Sequence, residues 1–146
     1  MALIFTDPNP AGPFADFQDK DVHTKVFKLT NANFSTAGVN TLVGAIAADA
    51  SITSMTLWVK TQLAGGSVSA ATISVGTASG GTQFVNANAA AFGTAGTKGG
   101  LTPITNIYQP YNIPYTTGDI QIWVNGTSTT GNPTSGEMYL ELSYVR

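Results

Sequence analysis

Glu137-Met-Tyr-Leu-Glu-Leu-Ser-Tyr-Val145 is the stretch that decides the fold. Met138, Leu140, Leu142 and Tyr144 fall at every second position, with Glu137, Tyr139, Glu141 and Ser143 between them. A period of two places the first set on one face of an extended strand and the second set on the other, so the segment predicts a β-strand with one buried face. Just upstream, Ile120, Ile122 and Val124 alternate with Asp119, Gln121 and Trp123 and predict a second strand over 119–124. Asn125-Gly126, a pair that favours turns, ends it, and a Thr/Ser/Gly loop follows through Ser135.

The same pattern recurs further back. Met55, Leu57 and Val59 share one face, and Thr56, Trp58 and Lys60 the other, which predicts a strand over 52–60. Ala64-Gly-Gly-Ser67 then supplies a turn, and Thr72–Gly76 returns with Ile73 and Val75 inward, as in a hairpin. Residues 25–30 alternate, with Phe27 and Leu29 on one side and Lys28 on the other. Residues 41–46, Thr-Leu-Val-Gly-Ala-Ile, suit a strand or a helical turn by periodicity alone; Gly44 and the adjoining β pattern favour strand. From 77 to 103 Gly, Ala and Thr dominate, anchored by Phe84, Val85 and Phe92, and one or two weak strands are expected. Ile107, Tyr108, Tyr111, Ile113 and Tyr115 surround Pro110 and Pro114, which place that stretch at an edge or in a structured loop. Roughly eight short strands with this punctuation predict an all-β, antiparallel two-sheet sandwich of the jelly-roll type. No repeat of solenoid or propeller period is present.

Residues 1–23 differ. Pro8, Pro10 and Pro13 each lack an N–H and fix φ, which prevents regular pairing. Leu3, Ile4, Phe5, Phe14 and Phe17 lie among them, whereas disordered tails are poor in aromatics. The expectation is an extended N-terminal arm over 1–23, packed either on its own domain or on a neighbouring subunit, ahead of one sandwich domain over 24–146. Met1–Phe5 is too short and uncharged for a signal peptide, and no apolar run reaches the ~20 residues of a membrane span.

Composition narrows the chemistry. Only 10% of the residues are charged, against about 25% in an ordinary globular protein, so the surface must be largely Thr, Ser, Asn and Gly. Such a surface suits a protein held against neighbours. Cysteine is absent, which excludes disulfides and thiolate metal sites. The six basic residues are scattered, whereas a nucleic-acid groove must neutralise several phosphates, so no nucleic-acid partner is expected. His23 is the one histidine, at the junction of arm and first strand, and reads as a packed or exposed side chain. Asp16, Asp19, Asp21 and His23 lack the central glycine and closing glutamate of a calcium loop, and neither metal nor cofactor is expected.

Glu137 and Glu141 share a strand face ~13 Å apart. That is wider than the ~5–9.5 Å between a glycosidase's carboxyls. Asp119 would approach Glu137 only if their strands paired. Gly76-Thr-Ala-Ser-Gly-Gly-Thr82 lacks the Gly-Lys-Ser/Thr of a phosphate loop and reads as turns. Asn33-Phe-Ser35 and Asn125-Gly-Thr127 match glycosylation sequons and read as coincidence in an Asn/Thr-rich chain. No enzyme is expected. Trp58 and Trp123 each fall opposite an aliphatic row: on an open face they would stack on a sugar or anchor a protein, and under loops or the arm they would simply be packed.

Thr72-Ile-Ser-Val-Gly-Thr-Ala-Ser-Gly-Gly-Thr82, the strand Ile52–Lys60 before it, and the ending Gly136-Glu-Met-Tyr-Leu-Glu-Leu-Ser-Tyr-Val-Arg146 together resemble small structural proteins of tailed bacteriophages. In these a V-G-T-x-x-G-G turn follows a central strand, and a G-E strand of alternating hydrophobics closes the chain on Y-V. The likeness spans about residues 40–146 and leaves the arm unmatched. It implies a virion component of the capsid decoration (cement) type: a homotrimer on the capsid surface, made in the host cytoplasm, that bridges major capsid protein subunits. It implies no cofactor, no membrane partner and no catalytic residue. Leu3, Ile4, Phe5, Phe14 and Phe17 would then cross a subunit boundary, and Trp58, Trp123, Tyr108 and Tyr111 would add protein interface. The alternative is a tail or head-fibre module in which Trp58, Trp123, Tyr108, Tyr111 and Tyr115 stack on a host glycan or receptor. A depolymerase using Glu137 and Asp119 is a third reading.

Overall fold

The computed structural model describes residues 21–48, 50–88, 97–100 and 118–145, with backbone alone at 88 and 97–100. Nine strands lie among them: β1 (Val22–Thr30), β2 (Phe34–Ser35), β3 (Val39–Ile46), β4 (Ser51–Ala64), β5 (Ala70–Gly76), β6 (Val85–Asn88), β7 (Thr97–Gly100), β8 (Ile120–Thr129) and β9 (Ser135–Val145). One 3-10 turn, Asn31–Asn33, joins β1 to β2; its side chain at Asn33 accepts from the Thr30 amide. β1 begins at Val22, so the last two residues of the expected arm belong to the sheet.

The strands form two sheets. The first runs β1-β9-β4-β7 and is antiparallel throughout. The second is built on β8. β5 pairs along one edge of β8, with β6 beyond it, and β3 pairs along the other. β2 adds one short parallel contact, Phe34↔Gly126 and Ser35↔Thr127. The all-β two-sheet architecture is therefore as the alternation predicts, with a small parallel element added.

The alternating rows become the core. Met138, Leu140 and Leu142 of β9 are fully buried, flanked by Leu29 on β1 and by Met55, Leu57 and Val59 on β4. Ile73, Val75, Val85, Ile122 and Val124 of the second sheet belong to the same cluster. Each such side chain contributes ~1.5–3 kcal/mol on burial. Phe84 and Val85, expected anchors of the Gly-rich stretch, are in it too, and among the described residues of that stretch lie two short strands, β6 and β7.

Two expectations change. The turn after β4 does not make a hairpin, because β4 pairs with β9 and β7 while β5 pairs with β8 and β6. Gly65, Gly66 and Ser67 adopt positive φ and carry the chain from one sheet to the other. A Cβ on Gly66 would stand 1.8 Å from the Asn132 carbonyl oxygen, so this crossing packs directly on the loop before β9. Nor is Asn125-Gly126 a turn. β8 continues through it to Thr129, and the chain bends at Thr130, where φ is 73°. Gly126 is needed because the end of the 3-10 turn and the start of β2 press on it: a Cβ there would lie 2.1 Å from the Asn33 carbonyl oxygen and 2.8 Å from the Phe34 ring.

Candidate interaction surfaces

The outer face of the first sheet carries a row set by register. Lys28 of β1 lies opposite Tyr139 of β9, which lies opposite Trp58 of β4. The Trp58 and Tyr139 rings tilt at 50° with centroids 6.3 Å apart, and Trp58 remains 46% exposed. Along the next row sits Glu137. Its carboxylate accepts from Lys60 Nζ at 2.9 Å and from the Tyr139 hydroxyl, and pairs with Lys28 Nζ at 3.2 Å. Lys60, the extra residue of a bulge between Val59 and Thr61, lies across from it on β4.

The Tyr139 hydrogen bond first, then the two lysines, hold the Glu137 carboxyl down at about 2. The Glu137 hydrogen bond in turn raises Lys60. A general acid or base works best when its pKa is moved toward the working pH, and here the shift is away from it. Asp119 precedes β8 in the other sheet and does not pair with Glu137's strand, so the carboxyl pair considered from sequence is not assembled.

The outer face of the second sheet is mostly amide and hydroxyl. Asn125 Nδ2 donates to Asn40 Oδ1 at 2.9 Å, Thr127 Oγ1 donates to Asn125 Oδ1 at 3.1 Å, and the Gly80 amide also donates to Asn40 Oδ1. The last bond pins the Val75-Gly-Thr-Ala-Ser-Gly-Gly81 loop onto this face. Gly76 is buried beneath Gly81 and Gln83, and Gly80 has φ +72°. Beside the loop, Trp123 pairs with Leu42 of β3. Trp123 is half-buried, with its Nε1 donating to Gln121 Oε1, and Leu42 is 46% exposed.

The gap between the sheets along β1 and β3 is closed by two contacts: Phe27 lies against Gly44, and the Lys25 ammonium crosses to donate to the Ala45 carbonyl. Within the first sheet, His23 stacks on its cross-strand partner Tyr144 at 5.2 Å. Lys25 shares the Phe27 side of the strand, so sequence alternation would have pointed to this inward lysine. Among the described residues no group of three His, Asp or Glu side chains could hold a metal; Asp16 and Asp19 lie outside them.

Of the sequence-predicted interface residues, Trp58 and Trp123 are placed, and they occupy opposite outer faces of the sandwich. They do not form one stacking platform. Leu3, Ile4, Phe5, Phe14, Phe17, Tyr108, Tyr111 and Tyr115 lie outside the described residues, as does Phe92. The convergence of Lys28, Lys60 and Tyr139 on Glu137 was not signalled in the sequence, since it depends on the order β1-β9-β4.

No family model matches the sequence, and no curated protein matches it. The fold does match solved structures. One is a chain of the cyanophage Pam1 capsid asymmetric unit, with a TM-score of 0.61, 19% identity, and coverage of 86% of this chain and 85% of that one. The fold is one found in phage capsids. A second match is a chain of the capsid of Ralstonia phage GP4, with a TM-score of 0.50, 18% identity, and coverage of 86% of this chain and 84% of that one.

Proposed function

We propose that this chain is a bacteriophage virion structural protein of the decoration (cement) type, which stabilises a head by bridging major capsid subunits on the capsid surface. The observation that carries the reading is the Pam1 match, which spans nearly the whole of both chains. The chemistry agrees: the outer faces offer amides, hydroxyls, a partly exposed tryptophan and a neutralised carboxylate, all suited to contact. A ligand that binds only the assembled shell stabilises it by mass action, so many weakly held copies act together. In this reading the chain associates as a homotrimer, and residues 1–20, with Leu3, Ile4, Phe5, Phe14 and Phe17, form the arm that crosses a subunit boundary. Each Phe buried there would contribute ~1.5–3 kcal/mol.

Cryo-electron microscopy of the virion tests it. The reading expects density for this chain on the outside of the head, and density confined to tail or fibres would overturn it. A variant lacking residues 1–20 leaves every described strand intact and is expected to lose capsid occupancy. Trp58, exposed and tilted on Tyr139, favours one competing reading, a fibre module that binds a glycan. Binding on a glycan array, lost in Trp58→Ala, would select that reading.

A further inference from the structure

Asn125-Gly126 is the one Asn-Gly pair in the chain. Such a pair is chemically labile, because glycine has no Cβ to keep its amide nitrogen from the asparagine carboxamide. The pair is favoured in turns, where it lies open to this reaction. Here it lies inside β8 with a partner strand on either side. Asn125 is opposite Asn40 of β3 and Ser74 of β5, and Gly126 is opposite Val39 and Ile73. Attack requires rotation about the Asn125 Cα–C bond out of the extended form, which would tear the rest of β8 from both neighbours. The carboxamide is held as well. Its Nδ2 donates to Asn40 Oδ1 at 2.9 Å, and its Oδ1 accepts from Thr127 Oγ1 at 3.1 Å. The turn before β3 covers it, since a Cβ on Gly38 would stand 3.2 Å from Asn125 Nδ2.

We propose that Asn125 is a latent deamidation site, closed while β8 is paired, and that its conversion keeps a copy that has opened from regaining the native sheet. Once β8 opens, the Gly126 amide nitrogen loses its proton and bonds to Asn125 Cγ, and the Cγ–Nδ2 bond breaks to release ammonia. Water then opens the five-membered imide at either of its carbonyl–nitrogen bonds. The product is an aspartate at 125 or its isomer, in which the side-chain carbon joins the main chain; water is the one co-reactant. Both products oppose return. A carboxylate accepts hydrogen bonds and donates none, and it would meet Asn40 Oδ1, an acceptor already bound to the Gly80 amide. The isomer lengthens the main chain and breaks the register with β3 and β5. The five described strands of the second sheet contain no Asp, Glu, Lys or Arg, so none of them supplies a cation to neutralise the new charge. Opened copies are thus drained one way, and the frequency of β8 opening sets the lifetime of the fold.

Peptide mass spectrometry of the full-length chain, held at mildly alkaline pH with and without guanidinium chloride, tests this. Asn125 is expected to convert at least about 100-fold more slowly in the folded protein, since a central strand opens at a cost near that of global unfolding. Asn40→Ala, a change at an exposed side chain, is expected to raise the folded-state rate and leave the denatured rate unaltered. Asn125→Asp supplies one product directly and is expected to unfold at a lower denaturant concentration than the wild type, or not to fold at all. Equal conversion with and without denaturant, or no conversion in denaturant, would overturn the proposal. So would a folded Asn40→Ala chain that converts at the wild-type rate, or an Asn125→Asp chain as stable as the wild type.

Discussion

The ring of Phe27 lies directly on Gly44, and this contact closes the gap between the two sheets where β1 meets β3. A Cβ built on Gly44 would stand 2.6 Å from Phe27 Cε1, closer than real Cβ contacts come. The register of β3 slips at this point, and the extra residue, Val43, packs against the core. Gly44→Ala is therefore expected to destabilise the protein by about 1–3 kcal/mol, as overpacking does. Urea unfolding should show a lower midpoint with an unchanged slope. Phe27→Leu in the same chain should recover part of the loss, since residues in contact are not additive. A wild-type midpoint for Gly44→Ala would mean that the ring swings aside without cost.

Strand interiors are legible in the sequence because a strand buried on one face must alternate, and β9, β8 and the middle of β4 do so without a break. Partner choice is less legible. The stretch from β4 to β5 has the local chemistry of a hairpin, two alternating runs around Gly65-Gly66, and that chemistry serves equally for a crossing between sheets. The decision is made by β8 and β9, far along the chain. The same holds for the outer face. Alternation puts Trp58 away from its aliphatic row, but Tyr139 beside it and Lys60 against Glu137, 77 residues on, follow from sheet order, which no local pattern marks.

Gly126 gives a second test of that distinction. In a turn a glycine supplies positive φ, and asparagine is its usual substitute. In β8, Gly126 instead leaves room for the Asn33 carbonyl and the Phe34 ring, which would stand 2.1 and 2.8 Å from an added Cβ. Gly126→Asn and Gly126→Ala should thus both destabilise, by at least 1–3 kcal/mol on the scale of about one overpacked site. Chemical denaturation of the two variants checks this, and near-neutral Gly126→Asn would restore the turn reading.

Ser128 is the polar side chain buried in the inner row of β8, opposite Ala71, and among the described residues its Oγ meets no hydrogen-bond partner. Burying a hydroxyl without a partner costs about 1–3 kcal/mol. Ser128→Ala removes the oxygen and leaves a void smaller than a methyl group. The variant is expected to be as stable as the wild type or up to about 1 kcal/mol more so. Calorimetry should show a melting temperature equal or higher by about 2–4 °C. A clear fall would show that the hydroxyl is satisfied.

Glu137 contributes a pH-dependent part of the protein's stability in acid. Its carboxyl is held at about 2 against an ordinary 4.5, so the folded state favours the ionised form more than the unfolded chain does. The resulting stabilisation is complete above the unfolded value, is lost progressively as pH falls from about 4.5 toward 2, and is gone below both. Wild type and Glu137→Gln should therefore differ in melting temperature at neutral pH and converge near pH 2. The neutral-pH difference will be modest and will shrink in salt, because the Lys28 and Lys60 side chains are 55% and 60% exposed. Tyr139 contributes the largest share of the shift, so Tyr139→Phe should move the Glu137 titration, followed by carboxyl carbon NMR, back toward the ordinary value even with both lysines present. If that variant titrates where the wild type does, the lysines alone hold the charge. The Tyr139 hydroxyl would then serve only to orient its ring beside Trp58.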